Sequence, residues 1–251
     1  MVVLTMLTFT FGHLYAWHDH SYTVGGGIDM NKIESKRMHL ILGLLALAVV
    51  LIRIIVSIGK PTPALYYFTV QSNLFVALYW LWVGLGYGDR YPKLSSWVAG
   101  AVTTYITITM LLYMILLHGQ FIDVLKGQLE RGELSQGMYY LEVIMTYILH
   151  MIIPILMLVD YIFFTPSYGN VRPYQWLLYP VVYGIGHSIY GLTTGKYLYP
   201  FLNPEKAGGW SQVLLNVVMI FVFIAVVGYG LYALNRWMNR RLGTERQQRI
   251  A

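Results

Sequence analysis

Four hydrogen-bonding side chains, Thr69, Gln71, Ser72 and Asn73, fall within five residues of the stretch YYFTVQSNL, inside one of the most apolar parts of the chain. Further along, Glu142, Thr146 and His150 recur at intervals of four, which puts a carboxyl, a hydroxyl and an imidazole on one helical face. Arg53, Asp160 and His187 are further ionisable groups inside apolar segments. A charge at the centre of a lone membrane helix costs roughly 2.5–3.5 kcal/mol on insertion scales, so such groups normally face the bundle interior and pair. Acids and histidines placed this way are typical of a proton or ion path, and a coupled transporter is one reading. Packing is another. An intramembrane threonine often bonds its own backbone or a neighbouring helix, charged residues near helix ends snorkel, and His187 in YGIGHSIYG sits among small residues that permit close approach. By helical spacing Thr69 and Asn73 share a face and Gln71 points elsewhere, so Thr69 and His150 could project into one polar cavity.

The elements that must hold these residues follow from composition. Of 251 residues, 57% are hydrophobic and 11% charged, against about 25% charged in ordinary soluble domains. Several apolar runs reach the roughly 20 residues a helix needs to cross a bilayer core, and long alternating strands of the kind that build a membrane barrel are lacking. The fold class expected is therefore an all-α polytopic bundle with six transmembrane helices: 38–58, 64–87, 97–117, 138–164, 174–192 and 210–237. Proline and glycine punctuate the gaps at Pro61 and Pro63, Gly88 and Pro92, Pro166 and Pro173, and Pro200 and Pro204.

Lys32, Lys36 and Arg37, then Arg90 and Lys93, Arg172, and a tail holding Arg236, Arg240, Arg241, Arg246 and Arg249 would all lie on one side of such a bundle. The positive-inside rule then predicts both termini in the cytoplasm, with the protein in the cell membrane. The net charge of +6 is explained by this topology, since the basic residues cluster at segment ends and form no nucleic-acid-binding face. No cysteine is present, which excludes disulfides, thiolate metal sites and a cysteine nucleophile. No dinucleotide fingerprint, phosphate loop or tight metal motif is found, so no cofactor is expected. Residues 118–137 read as the longest loop, with Phe121, Ile122, Leu125 and Leu129 at helical spacing, and are placed on the outer membrane surface. Residues 1–37 read as a leader, 38–237 as the membrane domain and 238–251 as a basic tail; His13, His18, Asp19 and His20 in the leader are of types that bind transition metals, with no other feature in support.

At about 1.5 Å per residue, Thr69 lies roughly 7 Å below the outer start of the second span and His150 about 12–18 Å below that of the fourth, both in the outer half. Asp160 falls near the inner end.

YYFTVQSNL, LHMIIPILMLVDYIFF, TGKYLYPFLN, the GGW that follows, and Asn216 occur in an order and spacing that resembles the bacterial six-helix membrane proteins related to the animal androgen-induced and androgen-dependent membrane proteins. The likeness covers roughly residues 38–240. It implies an intramembrane hydrolase of fatty acid esters of hydroxy fatty acids, with a threonine nucleophile matching Thr69 in FTVQSN and a histidine matching His150 in LHMIIP. Animal members carry a second histidine near the first, where this chain has Met151, Ile152 and Ile153. On that reading His150 takes the hydroxyl proton and returns it to the leaving alcohol. Glu142 is then a candidate to orient the imidazole, and Gln71 or Asn73 to stabilise the oxyanion. The partner would be a lipid-like ester; a non-catalytic lipid-binding protein is the third reading.

Overall fold

The computed structural model describes residues 30–60, 62–167 and 171–250. His13, His18, Asp19 and His20 lie outside the described residues. Every regular element described is helical, and no strand occurs among those residues. The principal helices are α1 (Met30–Val56), α2 (Phe68–Gly84), α3 (Pro92–Leu112), α4 (His118–Glu130), α5 (Gln136–Tyr147), α6 (Ile153–Val159), α7 (Leu178–Thr194) and α8 (Trp210–Ile250). Among the described residues, four continuous helical stretches are long and apolar enough to cross a membrane: Ile33–Val56, Pro92–Glu130, Gln136–Phe164 and Trp210–Arg241. α2 and α7 are shorter, at 17 residues each.

Two boundaries differ from expectation. α1 starts at Met30, eight residues before the predicted span, and so extends into the segment read as leader. The segment predicted as the longest loop is mostly helix: α3 runs through a π turn at Tyr113–Leu117 directly into α4, so that one helix of 39 residues extends from Pro92 to Glu130. The apolar spacing that suggested a surface helix is used at least partly against the protein, since Leu125 is buried and Phe121 meets Tyr113 edge-on. Ser135 then caps α5 by accepting from the Met138 amide.

Small residues set the closest helix approaches. A Cβ added at Gly43 would lie 2.8 Å from the Leu81 amide nitrogen, and one at Gly84 would lie 2.7 Å from that of Leu40, so the α1 and α2 backbones meet at two points of one antiparallel seam. Gly100 of α3 leaves the notch that receives the buried Trp176 ring; a Cβ there would come within 2.2 Å of it.

The stretch Gln136–Phe164 is interrupted by two π turns, Ile148–Ile152 and Asp160–Phe164. The first has a cause in sequence. Pro154 has no N–H to give the His150 carbonyl, and its ring crowds that carbonyl, so the helix widens in the preceding turn. There the Ile153 amide bonds the Ile148 carbonyl, leaving the Leu149 carbonyl without its usual helical donor. Asn73 Nδ2 from α2 supplies one at 3.0 Å. The second turn repeats the device: the Thr165 amide bonds the Asp160 carbonyl, and the released Tyr161 carbonyl accepts from Asn235 Nδ2 of α8 at 2.6 Å. Each widened turn is thus tied to another helix by a buried asparagine.

Candidate functional site

Thr69 is the second residue of α2, and His150 is the middle residue of the widened turn between α5 and α6. Asn73 joins these elements: its amide nitrogen donates to the Thr69 carbonyl at 2.8 Å as well as to that of Leu149. The result places Thr69 Oγ1 3.3 Å from His150 Nε2. On the other side of the ring, His150 Nδ1 lies 3.0 Å from the Thr146 carbonyl oxygen. A carbonyl can only accept, so Nδ1 carries the proton, and in the neutral imidazole Nε2 presents a lone pair toward the Thr69 hydroxyl. This is the tautomer a general base for that hydroxyl needs.

The Tyr113 ring stacks on His150 with centroids 4.1 Å apart and planes 29° from parallel. Tyr113 is buried, begins the α3–α4 π turn, and sets its hydroxyl 3.1 Å from His118 Nδ1. Thr69 stands in the first turn of α2, where the helix dipole favours negative charge; the Phe68 amide there donates to the Tyr199 hydroxyl and the Val70 and Gln71 amides to the Tyr67 carbonyl.

The remaining sequence-predicted residues separate. Both predicted amide donors are otherwise engaged: Asn73 holds two carbonyls, while Gln71 Nε2 donates to the Leu65 carbonyl and its Oε1 accepts from the Tyr179 hydroxyl at 2.6 Å. Glu142 does not orient His150, because its buried carboxylate is gripped by Arg53 and by Lys60, the latter at 2.7 Å. The Thr146 carbonyl takes the orienting role. Asp160 accepts from Trp80 Nε1 and pairs with His39 Nε2, both at 3.0 Å, in a fully separate buried cluster. His187 lies in an aromatic group with Tyr183, Tyr66 and Tyr199, its Nδ1 buried without a hydrogen-bond partner. Arg53, Glu142, His150 and Asp160 therefore belong to three different sets of bonds. Among the described residues no group of three or more His, Asp or Glu assembles as a metal site.

Tyr113, His39 and Trp80 were not singled out from the sequence. His39 sits within an apolar helix and is accessible to the rule that intramembrane ionisable groups seek partners; Tyr113 and Trp80 carry no such signal.

An apolar groove of about 600 Å³ is lined by α2 residues such as Phe75 and Trp82, α3 residues from Leu94 to Tyr105, and Tyr179 of α7; neither Thr69 nor His150 lines it. Two of its lining residues, Tyr105 and Tyr179, pack on Phe68, the neighbour of Thr69. No protein-family model, curated protein or solved structure matches the chain.

Proposed function

We propose that the chain is a six-span protein of the cell membrane with both termini cytoplasmic, and that it hydrolyses lipid-like fatty acyl esters through Thr69 and His150, as the resemblance to the androgen-induced type of membrane hydrolase implies. The observation that carries this reading is the hydroxyl-to-imidazole contact of 3.3 Å with the opposite ring nitrogen fixed on a carbonyl. Thr69 Oγ1 attacks the ester carbonyl carbon while His150 Nε2 takes its proton. The resulting imidazolium gives that proton to the departing alcohol oxygen as the ester C–O bond breaks, leaving acyl-Thr69. Water, deprotonated by the same nitrogen, then attacks the acyl carbon and releases the fatty acid and the free hydroxyl. The Thr69 backbone amide is the first-turn donor best placed by position for the developing oxyanion, since the Phe68 amide donates to the Tyr199 hydroxyl, the Val70 and Gln71 amides to the Tyr67 carbonyl, and the Gln71 and Asn73 side chains are committed elsewhere. The apolar groove whose Tyr105 and Tyr179 rings pack on Phe68 is the bed this reading gives an acyl chain.

The test is hydrolysis of a fluorogenic long-chain ester by purified protein in detergent. Wild type is expected to turn over, His150→Ala to lose about 10²- to 10⁴-fold, and Thr69→Ala to fall to background. An inert wild type across chain lengths, or folded variants that match it, would sink the assignment.

A further inference from the structure

Where α1 ends and α2 begins, Arg53, Ser57, Lys60, Thr62, Ala64 and Tyr67 line an open cavity of about 230 Å³. Two cations meet one carboxylate there. Arg53 bonds Glu142 through Nη1 alone, and Lys60 contributes one of its ammonium donors to the other oxygen, so one unit of positive charge is uncompensated within the cluster. Arg53 Nε and Nη2 and the other Lys60 donors have no protein partner among the described residues. Lys60 remains 46% exposed while Glu142 is nearly closed off, so the donors that are left face the cavity side.

Depth selects the ligand. Val56 closes one of the apolar stretches long enough to cross a bilayer, and the cavity straddles that end, from Arg53 just before it to Ser57, Lys60 and Thr62 beyond it. That is the level of the lipid headgroups, where phosphate is the abundant anion. A guanidinium with a free edge, a mobile ammonium and the Thr62 and Tyr67 hydroxyls are donors suited to phosphate oxygens. We propose that this cavity is a binding site for the phosphate of an anionic lipid. The proposal stands on the membrane-spanning character of α1 and is independent of the Thr69–His150 chemistry.

The full-length protein in neutral detergent is titrated with dioctanoyl phosphatidylglycerol, with inorganic phosphate and with dioctanoylglycerol, reading retained lipid by native mass spectrometry and the thermal midpoint. Phosphatidylglycerol is expected to bind saturably and raise the midpoint, and dioctanoylglycerol to do neither. Lys60→Gln should weaken binding about tenfold, the loss expected for one charge-assisted hydrogen bond, and Lys60→Arg should restore it. Tyr67→Phe, which removes only a lining hydroxyl, serves as a second variant that avoids unpairing Glu142 and should weaken binding severalfold. Inorganic phosphate that competes with the lipid at millimolar concentration supports the site as one for the phosphate group itself. Equal retention of the phosphate-free lipid, or Lys60→Gln and Tyr67→Phe proteins that bind as wild type does, overturns it. Because the readout is binding and involves no turnover, its failure is distinguishable from failure of the hydrolase reading.

Discussion

The His150 imidazole lies face to face with the Tyr113 phenol ring, 4.1 Å between centroids, so the candidate base is held by a ring from a different helix. Aromatic stacking of this kind contributes about 0.5–1.5 kcal/mol beyond area burial. Tyr113→Phe keeps the ring face and loses only the contact to His118, and its ester turnover should stay near wild type. Tyr113→Leu removes the stack, and kcat should fall about tenfold with KM little changed, since about 1.4 kcal/mol of positioning corresponds to that factor. Steady-state kinetics separating the two constants checks this; an unchanged kcat would make Tyr113 a packing residue alone.

The geometry at Nε2 also fixes the sign of a pH dependence. Only neutral imidazole can accept the Thr69 proton, so kcat/KM should be constant at alkaline pH and decline as pH falls and His150 becomes protonated. Thr69→Ser keeps a hydroxyl at the same position and should retain both activity and the acid limb, whereas Thr69→Ala should retain neither. Rate measured from about pH 3 to 9 for the three proteins decides; a profile that rises toward acid would contradict a histidine base.

Asn73 and Asn235 are each buried and each caps a carbonyl released by a π turn. Replacing Asn73 with Ala leaves the Leu149 carbonyl without its donor in a water-poor interior, at a cost of about 1–3 kcal/mol. The expected outcome is a lower unfolding midpoint in detergent together with a loss of turnover, because the bond that breaks also sets the distance from α2 to His150. Asn235→Ala should lower the midpoint comparably and leave kcat closer to wild type.

The His39–Asp160 pair and Trp80 form a buried set remote in bonding from Thr69. Asp160→Ala strands two buried donors and should destabilise by about 3–5 kcal/mol, whereas the double change His39→Leu with Asp160→Leu should recover part of that loss. Thermal unfolding of the single and double variants reads the difference. A double variant less stable than the single would mean the cluster is held by more than its charges.

Helical content was legible from hydropathy because lipid forbids unpaired backbone, and each apolar run had to close its own hydrogen bonds. Boundaries were less so: residues 118–130 carry enough charge to read as a loop, yet they continue α3 because Leu125 and Phe121 find protein surface to cover them. Spacing by four and depth suggested that Thr69 and His150 could project toward one place, and their side chains lie 3.3 Å apart. Their partners were not legible in this way. Whether Glu142 or the Thr146 carbonyl would orient His150 depends on Arg53 and Lys60 arriving from another helix and taking the carboxylate first. Pro154, four residues after His150, was the one local sign that this turn would open.

The backbone seam between α1 and α2 bears on the order in which the molecule assembles. Gly43 against Leu81 and Gly84 against Leu40 involve only the first two described long helices, so this hairpin can close as soon as α2 leaves the ribosome. Thr69 is then already mounted on a finished pillar while the segment bearing His150 is still unmade. A bulky residue at Gly84 would tilt that pillar at the end far from Thr69 and swing the hydroxyl through an arc before His150 is even made, so a defect in the proposed chemistry could originate almost the full length of α2 away from Thr69.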